Sequence, residues 1–167
     1  VSLGAWEDPQ HKRQIATLIA AAQKNRVQLV WARSPLAGAN PHDATDHKQI
    51  AAYPLLQYLS AFDGVVSTAG YNSFHELMHH YDRPVMFLPV DQRGLDDQVG
   101  RAQFAAQNGI ADIVDTQNLS QSAGAFFAKV RRRQTVDRKG GQSKGAIAAE
   151  KLMASIRGID STRRAML

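Results

Sequence analysis

The sequence predicts an α/β fold, a doubly wound, parallel six-stranded sheet with helices on both faces. Three observations carry this. Six short apolar stretches alternate with helix-patterned segments along the 167 residues. The stretches are apolar at successive positions rather than at every second one, as in strands buried on both faces. Gly64–Pro89, GVVSTAGYNSFHELMHHYDRPVMFLP, reads as strand, glycine turn, helix and strand, a βαβ unit of the usual ~30 residues.

Taken in order, Val1–Gly4 reads as the end of a buried strand entering a glycine turn. On that reading the chain is a piece of a longer protein, with more on its N-terminal side. Asp8-Pro9 caps and starts a helix, with Ile15, Leu18, Ile19 and Ala22 at helical spacing. Val27–Trp31 is the next strand. Ser34–Asp46, rich in Pro, Gly, Asn and Asp, is a loop. Gln49–Ala52 is a third strand, and Pro54 opens a helix carrying Leu55, Leu56, Leu59 and Phe62.

Val65–Ala69 is the fourth strand, broken by Gly70. Asn72 and Ser73 are both able to cap the helix that runs from Phe74 to His80, and Val85–Leu88 is the fifth strand. A polar loop at Asp91–Asp96 leads to a helix at Asp97–Asn108. Val99, Ala102, Phe104 and Ala105 are its candidates for burial, and Gly109 closes it. Ile110–Val114 is the last strand and Leu119–Val130 a helix. Arg138–Lys144 is a charged, glycine-rich hinge before a final helix at Lys144–Ile156. One domain is expected over 1–157, with 158–167 a tail.

Composition narrows the function classes. A hydrophobic share of 44% allows a core, and no apolar run approaches the ~20 residues of a membrane span. With no cysteine there are no disulfides and no thiolate metal sites, which fits a reducing compartment. A cytoplasmic location is expected. The net charge of +5 gathers late, in Lys129–Arg133, Arg138-Lys139 and Arg157–Arg164. These residues form either a solvated helix face or a surface for an anionic membrane. Nucleic acid is not expected as a partner.

The chemistry concentrates at Gly70–Glu76. A glycine turn feeding a helix brings backbone N–H groups, two small polar side chains and the positive end of a helix dipole to one point, a ready site for phosphate. Glu76 follows one turn in, able to accept hydrogen bonds from a sugar hydroxyl; the plainer reading is a first-turn carboxylate favoured by the dipole. His75, His79 and His80 have metal-like i, i+4 spacing but read as surface residues. Asp96-Asp97 is adjacent rather than spaced, and there is no Asp-x-Asp motif in an apolar setting.

Gly70-Tyr71-Asn72-Ser73-Phe74-His75-Glu76-Leu77, then Arg83-Pro84-Val85-Met86-Phe87-Leu88-Pro89, then Asp96-Asp97-Gln98, resembles the donor-binding, Rossmann-like lobe of GT-B glycosyltransferases, most closely glycosyltransferase family 28. The family has Gly where this chain has Arg83. The resemblance implies an inverting, metal-independent transferase of a UDP-sugar, with no cofactor beyond that substrate. Gly70, Asn72, Ser73 and Gly4 would meet the diphosphate, although the loop at Gly4 reads Gly4-Ala5-Trp6-Glu7. Glu76 would hold the ribose, Ala52 and Tyr53 the base, and Asp97 and Gln98 the donor sugar.

No catalytic base is identified. The resemblance therefore implies an acceptor-binding partner, either an N-terminal domain or a separate subunit, and a chain inactive by itself. Two alternatives remain open on the residues: a nucleotide-sugar hydrolase of the same fold, and a non-catalytic donor-binding subunit. An unrelated dinucleotide-binding protein has little support, because neither Gly4 nor Gly70 opens a G-x-G-x-x-G run.

Overall fold

The computed structural model describes residues 1–2, 9–33, 48–90, 96–115 and 117–138. Within them the elements run α1 (Pro9–Lys24), β1 (Val30–Arg33), β2 (Lys48–Ala51), a 3₁₀ helix (Leu55–Ala61), β3 (Val65–Ser67), α2 (Tyr71–His80), β4 (Val85–Phe87), α3 (Gln98–Gln107), β5 (Asp112–Ile113) and α4 (Leu119–Arg131). The loop expected at Ser34–Asp46, the hinge, the final helix and the tail lie outside the described residues, as do Gly4 and Trp6.

Every strand pairing is parallel, β1 with β2 and β4 with both β3 and β5. The sheet stands as a two-stranded and a three-stranded piece, not the six-stranded sheet expected. Val1 and Ser2 lie between the pieces. Ala32 N donates to Val1 O at 2.9 Å, Ser2 N to Val66 O at 2.9 Å and Thr68 N to Ser2 O at 3.3 Å. Two residues make a bridge rather than a strand, and this bridge is the described part of the first expected strand.

Alternation along the strands explains the two layers of helix. Val66, Met86 and Leu88 face α1 and α4, where Leu18, Ala22, Phe126 and Phe127 are buried. Val65, Val85 and Phe87 face the other way, onto the 3₁₀ helix, α2 and α3, where Leu59, Phe74, Leu77, Ala102 and Ala105 are buried. Burying one such large side chain contributes about 1.5–3 kcal/mol, against about 0.3–1 kcal/mol for a charge at a helix end. The two-sided core therefore holds the frame, and helix ends are left to serve other purposes.

Where boundaries differ from the sequence reading, local chemistry gives the reason. β1 begins three residues after the expected Val27, because the end of α1 takes up the residues before it. Val27 N reaches back to Ala22 O at 2.9 Å, with Arg26 in the left-handed region at φ 54. Gly109 does the same after α3 at φ 67, and Arg133 after α4 at φ 52. Only the glycine among these three caps is visible in a sequence, because arginine carries no signal for that conformation.

The segment after Pro54 is a 3₁₀ helix rather than an α-helix. It is seven residues long, has no side-chain cap and buries only Leu59, too short a run for the longer-range bonds to prevail. Phe104, expected inside, is 58% exposed. Ala102 and Ala105 set the buried face of α3, and a residue two positions from Ala102 falls on the far side.

The basic C-terminal region is partly used internally. Lys129 Nζ pairs with Asp112 at 2.5 Å and Arg133 with Asp63 at 3.5 Å. Arg138 donates to the carbonyls of Ile110 at 3.0 Å and Arg83 at 2.9 Å, and to that of Tyr81. Tyr81 in turn donates its hydroxyl to Phe62 O at 2.9 Å. Burial pushes the Tyr81 phenol up and the Arg138 guanidinium down from their ordinary values. Among the described residues no helix is long and apolar enough to cross a membrane.

Candidate functional site

The segment between β3 and α2 runs through Thr68, Ala69 and Gly70. Gly70 is the N-cap of α2, so the helix starts at Tyr71, three residues before the expected Phe74. Asn72 and Ser73 are consequently in its first turn and do not cap it. Among the described residues no side chain caps α2, and Gly70 O accepts the Phe74 N–H at 2.8 Å. The N–H groups ahead of Phe74 have no intrahelical acceptor.

The glycine is not demanded by its own backbone. Its φ of −58° and ψ of 147° suit any residue. Nor does packing among the described residues require it, since of these a Cβ there would meet only Thr68 Oγ1, at 3.9 Å. What the missing side chain provides is open space in front of the helix end.

A cavity of about 290 Å³ lies beside this turn. α2 lines it with Asn72, Ser73 and Glu76, β3 with Ser67, and the segment after β2 with Ala52 and Tyr53. Glu76 is half-buried there. Ser67 is the one buried polar residue among the described ones, 2% exposed. Tyr53 is 79% exposed at the rim. Ala51 and Ser67 end their strands, so the cavity opens at the carboxyl ends of parallel strands, where open α/β sheets bind ligands.

A larger cavity of about 430 Å³ adjoins it, sharing Ser2, Ala32, Leu55, Leu59 and Val65 and extending among Val27–Val30, Asp63–Val66 and the α4 side chains Phe126 and Val130. It reaches the entry side of β1 and β3 and includes none of the candidate residues. The chemistry of the lining, not the volume, marks the smaller cavity as the candidate site.

Five candidates thus share one cavity: Ala52, Tyr53, Asn72, Ser73 and Glu76. Gly70, the cap of α2, is not among its lining residues and precedes Asn72 by two positions. Asp97 and Gln98 are not among its lining residues. They sit at the start of α3, where Asp97 Oδ1 accepts the Gly100 N–H at 2.9 Å and Gln98 Oε1 accepts the Val90 N–H at 3.1 Å. The rings of His75 and His79 stack with centroids 6.0 Å apart on an exposed face. Among the described residues no group of three or more His, Cys, Asp or Glu is placed to hold a metal ion.

Sequence reasoning missed Arg101. It reaches from α3 to the β3–α2 turn, donating Nε to Ala69 O at 2.8 Å and pairing with Asp96. Its guanidinium lies 5.9 Å from the centroid of the Tyr71 ring. No local pattern marks an arginine in a second helical turn as a cross-link between elements thirty residues apart, so the sequence held no signal for it.

No protein-family model matches the chain, and no curated protein matches it. Solved structures do. The glycotransferase of kitacinnamycin superposes with a TM-score of 0.50 at 18% identity, covering 90% of this chain and 41% of its own. The spinosyn forosaminyltransferase SpnP superposes with a TM-score of 0.48 at 18% identity, covering 84% of this chain and 38% of its own. The chain therefore spans well under half the length of either structure. At this identity the likeness is one of fold alone, and it agrees with the α/β architecture of parallel strands between two helical layers.

Proposed function

We propose that the chain is the donor-binding lobe of a glycosyltransferase and that it takes a uridine diphosphate sugar at the mouth of α2. The observation that carries this is the uncapped first turn of α2, opened by Gly70, beside a cavity containing a half-buried carboxylate. A diphosphate there accepts the N–H groups of the first turn and the Asn72 and Ser73 side chains, and meets the positive end of the helix dipole. Glu76 accepts hydrogen bonds from the ribose diol. Ala52 and Tyr53 take the base. The motif order shared with family 28 favours uracil and gives Asp97 and Gln98 the donor sugar.

The reaction is a displacement at the anomeric carbon. An acceptor oxygen forms a bond there as the bond to the diphosphate oxygen breaks, with inversion, and the electron pair leaves with the uridine diphosphate. The helix N–H groups stabilise the charge that develops on the leaving diphosphate. The proton lost by the acceptor goes to a base outside this lobe, so transfer needs an acceptor-binding domain or subunit.

Isothermal titration of the chain with the diphosphates of uridine, guanosine and thymidine tests this. Uridine diphosphate is expected to bind best. Glu76→Ala is expected to weaken it by roughly tenfold to a hundredfold, the worth of hydrogen bonds to a charged group, with an unchanged melting temperature. Absence of binding by any of the three nucleotides at millimolar concentration would defeat the proposal.

A further inference from the structure

Among the described residues, Arg101 fastens the two ligand-facing segments together. Its Nε holds the carbonyl of Ala69, the residue before the Gly70 cap of α2. The same guanidinium pairs with Asp96, the residue before the Asp97 cap of α3. The group is largely buried, 19% exposed, and its Asp96 partner is 29% exposed. A planar fork that meets a carbonyl and a carboxylate at once holds a distance and an angle, which a point charge does not. Two of its five N–H donors are spent on these acceptors, and through them Arg101 acts on the segments it joins.

We propose that Arg101 is a positioning residue that sets how far the start of α3 stands from the start of α2, and through this selects for a sugar on the diphosphate. The inference rests on the nucleotide-sugar reading. It divides the site in two. The proposed nucleoside and diphosphate contacts lie on α2 and the segment after β2, whereas the bonds of Arg101 go to Ala69 and Asp96. The sugar contacts lie on Asp97 and Gln98, whose place relative to Gly70 depends on this link.

The test titrates the chain and its Arg101→Ala variant with uridine diphosphate and with UDP-glucose, UDP-galactose and UDP-N-acetylglucosamine. Wild type is expected to prefer one UDP-sugar to uridine diphosphate. In the variant that preference falls by about tenfold, as for the loss of one charge-assisted link, while the Kd for uridine diphosphate changes less than twofold. Arg101→Lys is expected not to restore the preference. Amide exchange at Gln98, whose N–H is held by Asp96 O at 2.9 Å, rises in Arg101→Ala, with the β3–β4 ladder unchanged.

Parallel loss of both affinities would reduce Arg101 to a general structural role and overturn the proposal. So would an unchanged preference, a wild type without preference, or unaltered exchange at Gln98. A wild type that binds no nucleotide fails the functional reading itself; a wild type that binds, with an indifferent Arg101→Ala, fails only this inference.

Discussion

The first turns of α2 and α3 stand at the ends of neighbouring strands, β3 and β4, and treat the same problem in opposite ways. Each helix begins with N–H groups that lack a partner inside the helix. At α3, Asp97 answers with its own carboxylate, which accepts the Gly100 N–H at 2.9 Å. Gly100 makes that possible, because a Cβ there would collide with the carboxylate. At α2 the glycine is the cap itself, no side chain answers, and a Cβ would find room. One glycine admits a protein carboxylate; the other leaves space for something not built into the chain. A helix end that carries its own negative charge repels an anion, and one left bare attracts it. This contrast is why the diphosphate is assigned to α2 and only the neutral sugar to α3.

The largest expected effect comes from making α2 resemble α3. A Cβ at position 70 has room among the described residues, and Gly70→Asp offers α2 a carboxylate cap. Uridine diphosphate binding is expected to fall by roughly a hundredfold or more, since like charges in contact cost several kcal/mol. Stability rises by only about a few tenths of a kcal/mol, the margin of Asp over Gly at this position. Calorimetric titration paired with a melting curve reads both, and a variant that still binds normally would break the comparison.

The converse change is milder. Asp97→Ala removes the cap of α3 and is expected to cost about 1 kcal/mol, seen as a melting point roughly 2–4 °C lower. The Kd for uridine diphosphate is expected to stay within twofold. Equal losses of stability and nucleotide affinity would mean that the two helix ends form one site.

The smallest effect concerns the start of α4. Asp115 accepts the Gln117 N–H at 2.9 Å and the Asn118 side-chain N–H at 2.8 Å. These bonds hold its carboxyl below the usual carboxylate range. A depressed folded value contributes stability above the unfolded pKa and loses it as pH falls through the folded one. Melting curves between neutral pH and pH 2 are therefore expected to show a slightly shallower acid decline in Asp115→Asn than in wild type. Superimposable declines would remove Asp115 from the account.

Patterns confined to one segment transferred well from sequence to structure. Ile15, Leu18 and Ala22 are buried on α1, and Gly109 closes α3 in the left-handed region. Each follows from spacing or from one residue's backbone preference. Errors arose where a neighbour in space chose between local options. Asn72 and Ser73 are good caps by composition, yet Gly70 takes that place and both line the cavity. Phe104 is apolar, yet two alanines set the inward face of its helix. Arg138 looks like part of a basic surface, yet it binds carbonyls from segments more than twenty-five residues away.

Alternating apolar runs and helical spacing were enough to dictate a parallel α/β frame covered on two sides, because burial follows from periodicity along a single segment. The glycine turn leading into a helix, with Glu76 as a carboxylate near its start, was likewise legible. Tertiary structure alone decided which helix start stays open and which closes on itself. It also made Arg101 the link between them. Those outcomes depend on angles and distances between separate elements, and a one-dimensional pattern carries no information about either.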